Sequence, residues 1–587
     1  MASRTTPQAV NSSTFHPAPL NHDLSIPELY KYHALNSPTH PAFMYSDVEE
    51  GNTTFITYHE AWLGIRKAAA IVSHHLSKPQ ATAPNRPAVI AVMAASDTLS
   101  YIYLLIGIMS LGHTGFPMYP RNSAEATAEL LKKTGASHIF TNPDGPSYSL
   151  AKDAAVLLDK DRLKLHIFPM VQYEELMKRQ EIEGEELPRV HAEDVVLILH
   201  SSGFYSVIIV CLYRFIPPAG TTAFPKPIKI TKKGLINLSN IPYYGEVDLA
   251  SKRIAAHTNP AFHAMGSGTY IWPPTSGAIF AVYNPFKPIV PTPANFMASW
   301  MADKCDIVFC VPVFLEAWAQ DSANVAKLKA LDAIIFSGAS VNKSIGDMLA
   351  ESGVVMHPFW GSTEVGPATM FVPRPPPSGQ WEYFKLSNHI TFFMKPHETL
   401  ENVFEPIMIP TEKCFPHAFN TLHDEKPAFN VGDLLERHPA NPERWRVYGR
   451  QDDQIMLSTG EHVNPLPIED IISQDKHVAA VIVFGTNHFN TGILVQPTSD
   501  GNMDDVQLDR FRNLIWPIVE KANSKASAYA QVSKNMIIVT SSSKPLEYTP
   551  KGTPRRSAAL HIYSAEIDAL YNAEEITMSD RQFPDRA

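Results

Sequence analysis

The chain contains 587 residues, which is too long for one hydrophobic core and therefore predicts at least two domains. Hydrophobic residues make up 44% of it and charged residues 18%, as in globular proteins with large buried cores. The net charge of −10 offers no basic surface for nucleic acid, and the four cysteines form no C-x-x-C pair that would indicate zinc or a disulfide framework. Ordinary thiols and an N-terminus without an apolar signal core predict a cytoplasmic protein.

The first part of the chain alternates between strand-like and helix-like segments. Residues 1–22 are polar, and we expect them to be disordered. From residue 87 the predicted elements are "PAVIAVMAAS", "LSYIYLLIGIMSLG", "AEATAELLKKTG", "ASHIFTN" and "DVVLILH". Ser123 can cap the second of the two helices and Gly135 can end it. Such alternation predicts parallel sheets that are covered by helices on both faces.

The pattern changes near residue 450. Up to residue 449 the same texture continues through "CDIVFCVP" and "LDAIIFSGAS", and beyond it short strands such as "VAAVIVFG" and "GILVQP" indicate a small α+β domain. The predicted fold class is therefore α/β, with a large domain of doubly wound parallel-type sheets at residues 23–449 and a small α+β domain at residues 450–575. Residues 576–587 read as a tail. The only membrane-like run, residues 205–216, is too short to span a membrane, which takes about 20 residues, and it contains Arg214.

A polar loop follows the strand that ends at His200, and it is interrupted. Residues 204–220, "FYSVIIVCLYRFIPPAG", divide what would otherwise read "LILHSSGTTAFPKPIKIT". The rejoined text is a strand followed by hydroxyl side chains, bare backbone N–H groups and a lysine, which together form a cradle for phosphate oxygens. The same residue types also suit an ordinary surface loop. The phosphate-loop candidates are Ser201, Ser202, Gly203, Thr221, Thr222 and Lys226.

Further motifs follow in order. "FWGSTEVGP" places Thr363 beside Glu364, and a carboxylate next to a hydroxyl suits Mg²⁺ held against phosphates. "FNVGDLLERHP" places Asp433 after a glycine turn, where one carboxylate can accept hydrogen bonds from both ribose hydroxyls. "VYGRQDD" and "YTPKGTPRR" come next. Taken singly, each motif has a structural reading, since Asp433 can cap a turn and Asp452 can belong to a solvated charged pair.

The four motifs in this order resemble those of the adenylate-forming superfamily, which includes acyl- and aryl-CoA synthetases, luciferases and the adenylation domains of peptide synthetases. The resemblance covers residues 25–575. Within it, "GFPMYPRNS" and "DDQIMLSTGEHVNPLPIED" are most similar to the adenylation domains of fungal synthetase-like carboxylic acid reductases.

The resemblance implies a role for each matching residue. The loop would bind the phosphates of ATP, and Ser337, Gly338 and Ala339 would contact adenine. Gly361, Ser362 and Thr363 would line the AMP site, and Glu364 would bind magnesium. Asp433 would bind ribose with Arg450 beside it, and the two domains would rotate about Asp452. His263, in "NPAFHAMG", would line the acyl pocket, and a core histidine is the alternative reading.

Lys551 is the lysine that the resemblance assigns to the acyl carboxylate and the α-phosphate. The family usually ends this motif in Gly-Lys, whereas here Lys551 precedes Gly552. A shift of one residue moves the side chain by at most ~3.5 Å, which a lysine can absorb. Lys544 is the alternative.

The implied function is ATP- and Mg²⁺-dependent activation of a carboxylic acid to an acyl-adenylate, followed by transfer to the thiol of coenzyme A or of a phosphopantetheine arm. No acidic residue stands near His263 to hold an α-amino group, which favours an aryl, keto or fatty acid. The reductase relatives carry a carrier domain and a reductase domain, and we find no sequence signal for either, so the chain is either a stand-alone ligase or a truncated product. A carrier protein is a possible partner.

The interruption leaves alternatives open. We hypothesise that residues 204–220 are a short unspliced intron, because a glycine stands at each junction and apolar residues are out of place in a phosphate loop. A catalytically impaired nucleotide-binding remnant or scaffold is the second reading, and a structural α/β protein without a ligand is the third.

Overall fold

The computed structural model describes residues 6–19, 24–77, 87–178, 186–200, 225–287, 289–374, 379–451, 453–458, 461–499, 503–548 and 553–572. The chain divides into two compact units. The large unit comprises Met1–His397, Pro406–Val431 and Arg437–Arg446, and the small unit comprises Glu398–Glu405, Gly432–Glu436 and Val447–Ala587. The functional boundary between residues 449 and 450 stays a prediction.

The first half of the large unit alternates helices and strands. In chain order the elements are α1 Ile26–Asn36, β1 Pro41–Asp47, β2 Asn52–Thr57, α2 Tyr58–Leu76, β3 Val89–Met93, α3 Thr98–Ser110, β4 Thr114–Pro117, α4 Ala124–Thr134, β5 His138–Thr141, α5 Gly145–Lys160, β6 His166–Pro169, α6 Tyr173–Met177, β7 Val195–His200, β8 Pro227–Thr231 and α7 Lys232–Ser239.

Six of these strands form a sheet in the order β6-β5-β3-β4-β7-β8. All neighbours are parallel except β7 and β8. Helix α3 is buried along its whole length because its residues are almost all apolar. The Ser123 hydroxyl accepts the Ala126 N–H at the start of α4, and Gly135 ends that helix with φ +71°, so both predicted caps are confirmed.

The second half of the large unit contributes a further parallel sheet. Its elements are β9 Arg253–Ala255, α8 Ala264–Ile271, α9 Pro273–Ser276, β10 Ile279–Ala281, α10 Pro293–Ala302, β11 Ile307–Cys310, α11 Pro312–Trp318, α12 Ser322–Leu328, β12 Ala333–Phe336, α13 Lys343–Glu351, β13 Met356–Pro358, β14 Gly361–Ser362 and β15 Gly366–Pro367. The sheet order is β13-β12-β11-β9-β10-β1-β2, and only β1 and β2 pair antiparallel. Two parallel sheets covered by helices confirm the predicted α/β class.

Short antiparallel strands follow: β16 Phe384–Lys385, β17 Phe392–Pro396, β18 Val403–Met408, β19 Thr421–His423, β20 Lys426–Asn430, β21 Asp433–His438 and β22 Asn441–Arg450. In the large unit, β16 pairs with β22 and β20 pairs with both β18 and β19. In the small unit, β18 pairs with β21 through Phe404 and Leu435.

The remaining elements of the small unit are β23 Ile455–Met456, β24 His462–Val463, α14 Leu466–Ile472, β25 Val478–Phe484, β26 Gly492–Pro497, α15 Asp505–Asn523, β27 Ile537–Val539 and α16 Arg556–Ile562. Strands β25 and β26 are antiparallel, and β26 and β27 are parallel. Apolar residues of these strands and of α14, α15 and α16 share one core. This arrangement confirms the predicted α+β character.

The N-terminal segment corrects one expectation. Residues 6–19 were expected to be disordered, but Phe15 is only 1% exposed and stacks on His33. The Gln8 side-chain amide donates to the carbonyl oxygens of Pro242 and Val247. The polar composition was misleading because these polar groups satisfy backbone partners within the large unit instead of binding water. Residues 1–5, 20–23 and 573–587 lie outside the described ranges.

Across the described ranges, none of the helices combines the length and the apolar character that crossing a bilayer would require.

Candidate active site

Two predicted nucleotide-binding segments leave the same edge of the seven-stranded sheet. Ser337, Gly338 and Ala339 follow β12, and Gly361 to Glu364 follow the neighbouring parallel strand β13. The Phe359 N–H donates to the carbonyl oxygen of Phe336 at 2.8 Å, which holds the two segments together where they depart. Carboxyl ends of adjacent parallel strands form the usual ligand crevice of such sheets.

The second segment is a tight hairpin. Strands β14 and β15 pair Gly361 with Pro367 and Ser362 with Gly366, and Thr363 and Glu364 lie in the turn between them. A Cβ atom on Gly361 would lie 2.2 Å from the Gly366 carbonyl oxygen, so glycine is required there. The Ser362 hydroxyl is buried and has no hydrogen-bond partner among the described residues. A buried polar atom in this state is available to a ligand or to a water molecule.

Glu364 is buried, with 4% of its surface exposed. Its backbone carbonyl oxygen accepts the His417 backbone N–H at 2.7 Å, and this hydrogen bond anchors the turn to the segment at His417. Burial lowers the pKa of His417 to about 4, so this ring is neutral at physiological pH.

The oxygen donors of this turn fit magnesium. Mg²⁺ is usually held by one or two carboxylates together with substrate phosphates and water, and Glu364 and the neighbouring Thr363 hydroxyl are of that kind. The part of the chain that the structure describes holds no group of three or more histidine, cysteine or acidic side chains arranged for a metal.

The candidate phosphate loop begins and ends at neighbouring positions. His200 at the end of β7 pairs with Pro227 at the start of β8. The His200 Nε2 atom accepts the Tyr119 N–H at 3.0 Å, which joins the entrance of the loop to the turn after β4. Lys226 directly precedes β8 and is half-buried. Ser201, Ser202, Gly203, Thr221, Thr222 and the whole of 204–220 lie outside the described residues.

Aromatic side chains gather beside the expected acyl pocket. The Phe262 ring lies 5.5 Å from Tyr119 and 6.5 Å from Tyr101, measured between ring centroids. His263 is exposed and is the N-cap of α8, where its Nδ1 atom accepts the Met265 N–H at 3.4 Å. The reading of His263 as a core histidine is therefore wrong. Sequence reasoning did not single out Tyr119, although its signal was available in "GFPMYPRNS", a turn directly after a predicted strand.

Asp433 and Arg450 meet in the small unit. The Arg450 Nη1 atom lies 3.2 Å from the Asp433 carboxylate, and both side chains are largely buried. Gly432 has φ +79°, a left-handed conformation that favours glycine, and its carbonyl oxygen accepts the Gln451 N–H at 2.8 Å. The pairing of these two residues, which the motif order implied, is present.

Of the two candidate catalytic lysines, only Lys544 lies within the described residues. Lys551 and the candidate hinge residue Asp452 lie outside the described residues. Lys544 is described, and its ammonium lies 2.5 Å from a Glu566 carboxylate oxygen. The Tyr563 hydroxyl donates to the Lys544 carbonyl oxygen at 2.6 Å. Lys544 therefore has a structural role in holding the C-terminal helical segment.

Comparison with solved structures identifies the class of fold. An anthranilate CoA ligase in complex with anthranoyl-AMP has a TM-score of 0.67 and 15% identity, covering 93% of this chain and 98% of that one. The O-succinylbenzoate coenzyme A synthetase of Bacillus subtilis, in complex with AMP, has a TM-score of 0.65 and 13% identity, covering 90% of this chain and 97% of that one. The fold is that of the adenylate-forming enzymes.

Matches to two protein-family models identify the family of the chain. The model described as AMP-binding enzyme matches residues 30–203 and 217–386, and the model described as AMP-binding enzyme C-terminal domain matches residues 452–575. The chain belongs to the AMP-binding enzyme family. The predicted superfamily is confirmed.

Curated relatives are fungal and longer. The chain is 36% identical to the adenylate-forming reductase Nps10 of Heterobasidion annosum, over 97% of this chain and 52% of the relative. It is 31% identical to the adenylate-forming reductase Nps11 of Serpula lacrymans, over 96% and 51%, and 24% identical to a carboxylic acid reductase of Neurospora crassa, over 95% and 51%. The chain thus spans about half the length of the curated relatives that it matches.

Proposed function

We propose that this chain uses ATP and Mg²⁺ to convert a carboxylic acid into an acyl-adenylate, with release of pyrophosphate. A carboxylate oxygen attacks the α-phosphorus of ATP, the bond to the β-phosphate oxygen breaks, and pyrophosphate leaves with the electron pair. The observation that carries this proposal is the pair of turns after β12 and β13, with the unpartnered Ser362 hydroxyl and the buried Glu364 in the second turn.

The residues would act mainly by positioning and by electrostatics. Ser337, Gly338 and Ala339 would contact adenine, while Gly361, Ser362 and Thr363 would contact the rest of AMP. Asp433, oriented by Arg450, would bind the ribose hydroxyls. Charge develops on the phosphate oxygens in the transition state, so the phosphate-loop N–H groups and Lys551 would stabilise it. Glu364 would hold the magnesium ion, which neutralises phosphate charge when bound.

The acid is proposed to be aryl, keto or fatty. Phe262, Tyr119 and Tyr101 supply aromatic surface near His263, and such surface favours an apolar or planar acyl group. The near sequence context of His263 has no acidic residue to pair with an α-amino group.

The acceptor of the acyl group is proposed to be a thiol of coenzyme A or of a phosphopantetheine arm. Among the structural neighbours are enzymes named as coenzyme A ligases, and among the relatives are enzymes named as reductases. Rotation of the small unit about Asp452 would exchange the adenylation and thiol-transfer arrangements. A carrier protein is a candidate partner for the second step.

We propose further that residues 204–220 do not belong to the active enzyme. The family match stops at residue 203 and resumes at residue 217, which supports an insertion into the family pattern at this point. The insertion would separate Gly203 from Thr221, whereas consecutive N–H groups must converge to hold a phosphate.

ATP–pyrophosphate exchange tests the proposal. The chain as written and a form lacking residues 204–220 are assayed against a panel of aryl, keto, fatty and α-amino acids. Acid-dependent exchange by the shortened form supports the proposal. If the shortened form folds and binds ATP but exchanges no pyrophosphate with any acid, the protein is a nucleotide-binding remnant.

A further inference from the structure

Arg556, the first residue of α16, lies at the centre of a buried charged network in the small unit. Its Nη2 atom donates to both carboxylate oxygens of Glu469 at 2.7 Å, and its Nη1 atom donates to the Val483 carbonyl oxygen at 2.8 Å. Its Nε atom lies 3.3 Å from an Asp453 carboxylate oxygen. The side chains of Arg556, Glu469 and Asp453 are 15%, 13% and 22% exposed, so water screens these contacts weakly.

The network joins segments that are distant in the sequence. Glu469 belongs to α14, Val483 belongs to β25, and Asp453 directly follows the candidate hinge position. The Glu469 carboxylate also accepts the Val483 N–H at 2.6 Å. Val483, Glu469 and Arg556 are therefore linked in a closed ring of hydrogen bonds. A planar guanidinium can make these contacts together because its N–H groups point in fixed directions, which the ammonium of lysine cannot reproduce.

The same residue anchors one of two paired segments, residues 547–548 and residues 554–556, which we call the two arms. Tyr548 pairs with Pro554, and the Arg555 N–H donates to the Glu547 carbonyl oxygen at 2.7 Å. The Tyr548 hydroxyl donates to the Gln496 side chain on β26 at 2.6 Å. One arm is therefore held by β26 through Tyr548, and the other is held by β25 and α14 through Arg556.

We propose that Arg556 is a positioning residue for adenylation: it anchors the arm at residues 554–556 and the segment starting at Asp453 to β25 and α14, so that these segments keep one placement. The inference rests on the proposed function in one respect, because Lys551 lies three residues along the chain from both Tyr548 and Pro554. The stretch of chain that carries Lys551 is thus joined at each end to an arm that has an anchor in the small unit.

Limited digestion with a lysine-specific protease tests the positioning without any assay of activity. Arg556→Met removes the guanidinium, and Arg556→Lys keeps a positive charge without the planar guanidinium. Arg555→Met is the matched control, because the Arg555 side chain is 42% exposed and its Nη1 atom lies 3.9 Å from a Glu547 carboxylate oxygen. We expect cleavage after Lys551 to accelerate by about tenfold in Arg556→Met, by less in Arg556→Lys and not in Arg555→Met. Cleavage after Lys534 should keep its rate in all three.

Two results would overturn the proposal. One is an unchanged rate after Lys551 in Arg556→Met, and the other is an equal rise after Lys534 and Lys551, which would mean that Arg556 only stabilises the unit as a whole.

Pyrophosphate exchange by the form lacking residues 204–220 provides the functional readout. In Arg556→Met we expect kcat to fall by about tenfold or more while KM for ATP stays within about twofold, with partial recovery in Arg556→Lys. A parallel rise in KM would instead assign Arg556 to ATP binding and overturn the positioning role. If the parent protein exchanges no pyrophosphate at all, the proposed function fails, and the cleavage rates still decide the role of Arg556.

Discussion

At the residue scale, the structure separates two lysines that the sequence left as alternatives. Lys544 is paired with Glu566 and its carbonyl oxygen accepts the Tyr563 hydroxyl. A lysine committed to a carboxylate is a poor candidate for stabilising a transferred phosphate, because its charge is already neutralised locally. Lys551 stays the proposed catalytic residue even though it precedes its glycine.

Replacing each lysine by alanine tests this choice. In the form lacking residues 204–220, Lys551→Ala should lower pyrophosphate exchange by about 10²-fold or more and leave ATP binding nearly intact, because the charge acts on the transition state. Lys544→Ala is the matched control, and it should cost at most about 1 kcal/mol in the free energy of unfolding, with exchange retained. Exchange that survives in Lys551→Ala and disappears in Lys544→Ala would reverse the assignment.

Substitutions of the two acidic residues of the proposed nucleotide site, Asp433 and Glu364, should impair the binding of different ligands. Asp433 contacts Arg450 and is proposed to bind ribose, whereas Glu364 lies in the turn proposed for magnesium. Asp433→Ala should raise the Kd for ATP by about tenfold or more, through the loss of hydrogen bonds to a charged group. Glu364→Gln should instead raise the Mg²⁺ concentration needed for half-maximal exchange. Titrations of ATP and Mg²⁺ on both variants measure this, and identical defects with unchanged metal dependence would contradict the separate roles.

At the scale of elements, the hairpin of β7 and β8 explains how the chain can carry an insertion without losing its sheet. His200 and Pro227 are paired, so the ends of the loop stay together whatever lies between them. Shortening the loop by residues 204–220 changes the entropy of loop closure by only about 1 kcal/mol, because that cost rises with the logarithm of length. The proposed cost of the insertion is functional, since it would separate the two halves of the candidate phosphate loop.

Deletion of residues 204–220 should therefore raise exchange activity strongly and stability slightly. The expected change in the free energy of unfolding is about 1 kcal/mol, which urea denaturation measures alongside the exchange assay. The control replaces the same residues by glycine and serine at equal length. It should stay as inactive as the chain as written, because Gly203 and Thr221 remain apart. Sequencing of transcripts across this range completes the test: mature transcripts that encode the stretch, together with an active full-length protein, would make it a genuine part of the enzyme.

At the scale of the whole molecule, local patterns predicted much of the fold. The caps of α4 and the strands β5, β11 and β12 follow from residue type and from runs of apolar residues. Long-range partners could not be predicted. Gln8 is buried because carbonyl oxygens some 240 positions away accept from its amide, and no property of the first twenty residues reveals this.

The same limit applies to the site. The resemblance to the adenylate-forming superfamily implied that Asp433 and Arg450 would be neighbours, and the structure shows that contact. The buried network of Arg556, Glu469 and Asp453 was missed, because an ion pair between positions so far apart has no signature in a single sequence. Its only local signal was an arginine beside the proposed catalytic motif.

Buried neutral histidines predict that the large unit loses stability in mild acid. Burial lowers the pKa of each of five of them to about 4, and these are His33, His138, His357, His389 and His417. In the unfolded chain a histidine has a pKa near 6.5, so between about pH 6.5 and 4 the unfolded state binds more protons than the native state. Stability is therefore complete above pH 6.5, falls as the pH drops through this window and levels off below about 4.

Urea denaturation at a series of pH values between 7.5 and 4.5 measures the effect. Each histidine contributes a slope of up to about 1.4 kcal/mol per pH unit inside the window. His389→Gln keeps a polar group near the Ser387 hydroxyl, which His389 contacts at 2.7 Å, but cannot titrate, so it should reduce the slope by about one proton. The exposed His74 provides the matched control, because His74→Gln removes a histidine from the surface and leaves the buried ones in place. An unaltered slope in His389→Gln would show that burial of this ring does not drive the acid sensitivity, and a stability that is flat from pH 7.5 to 4.5 would contradict the prediction for all five.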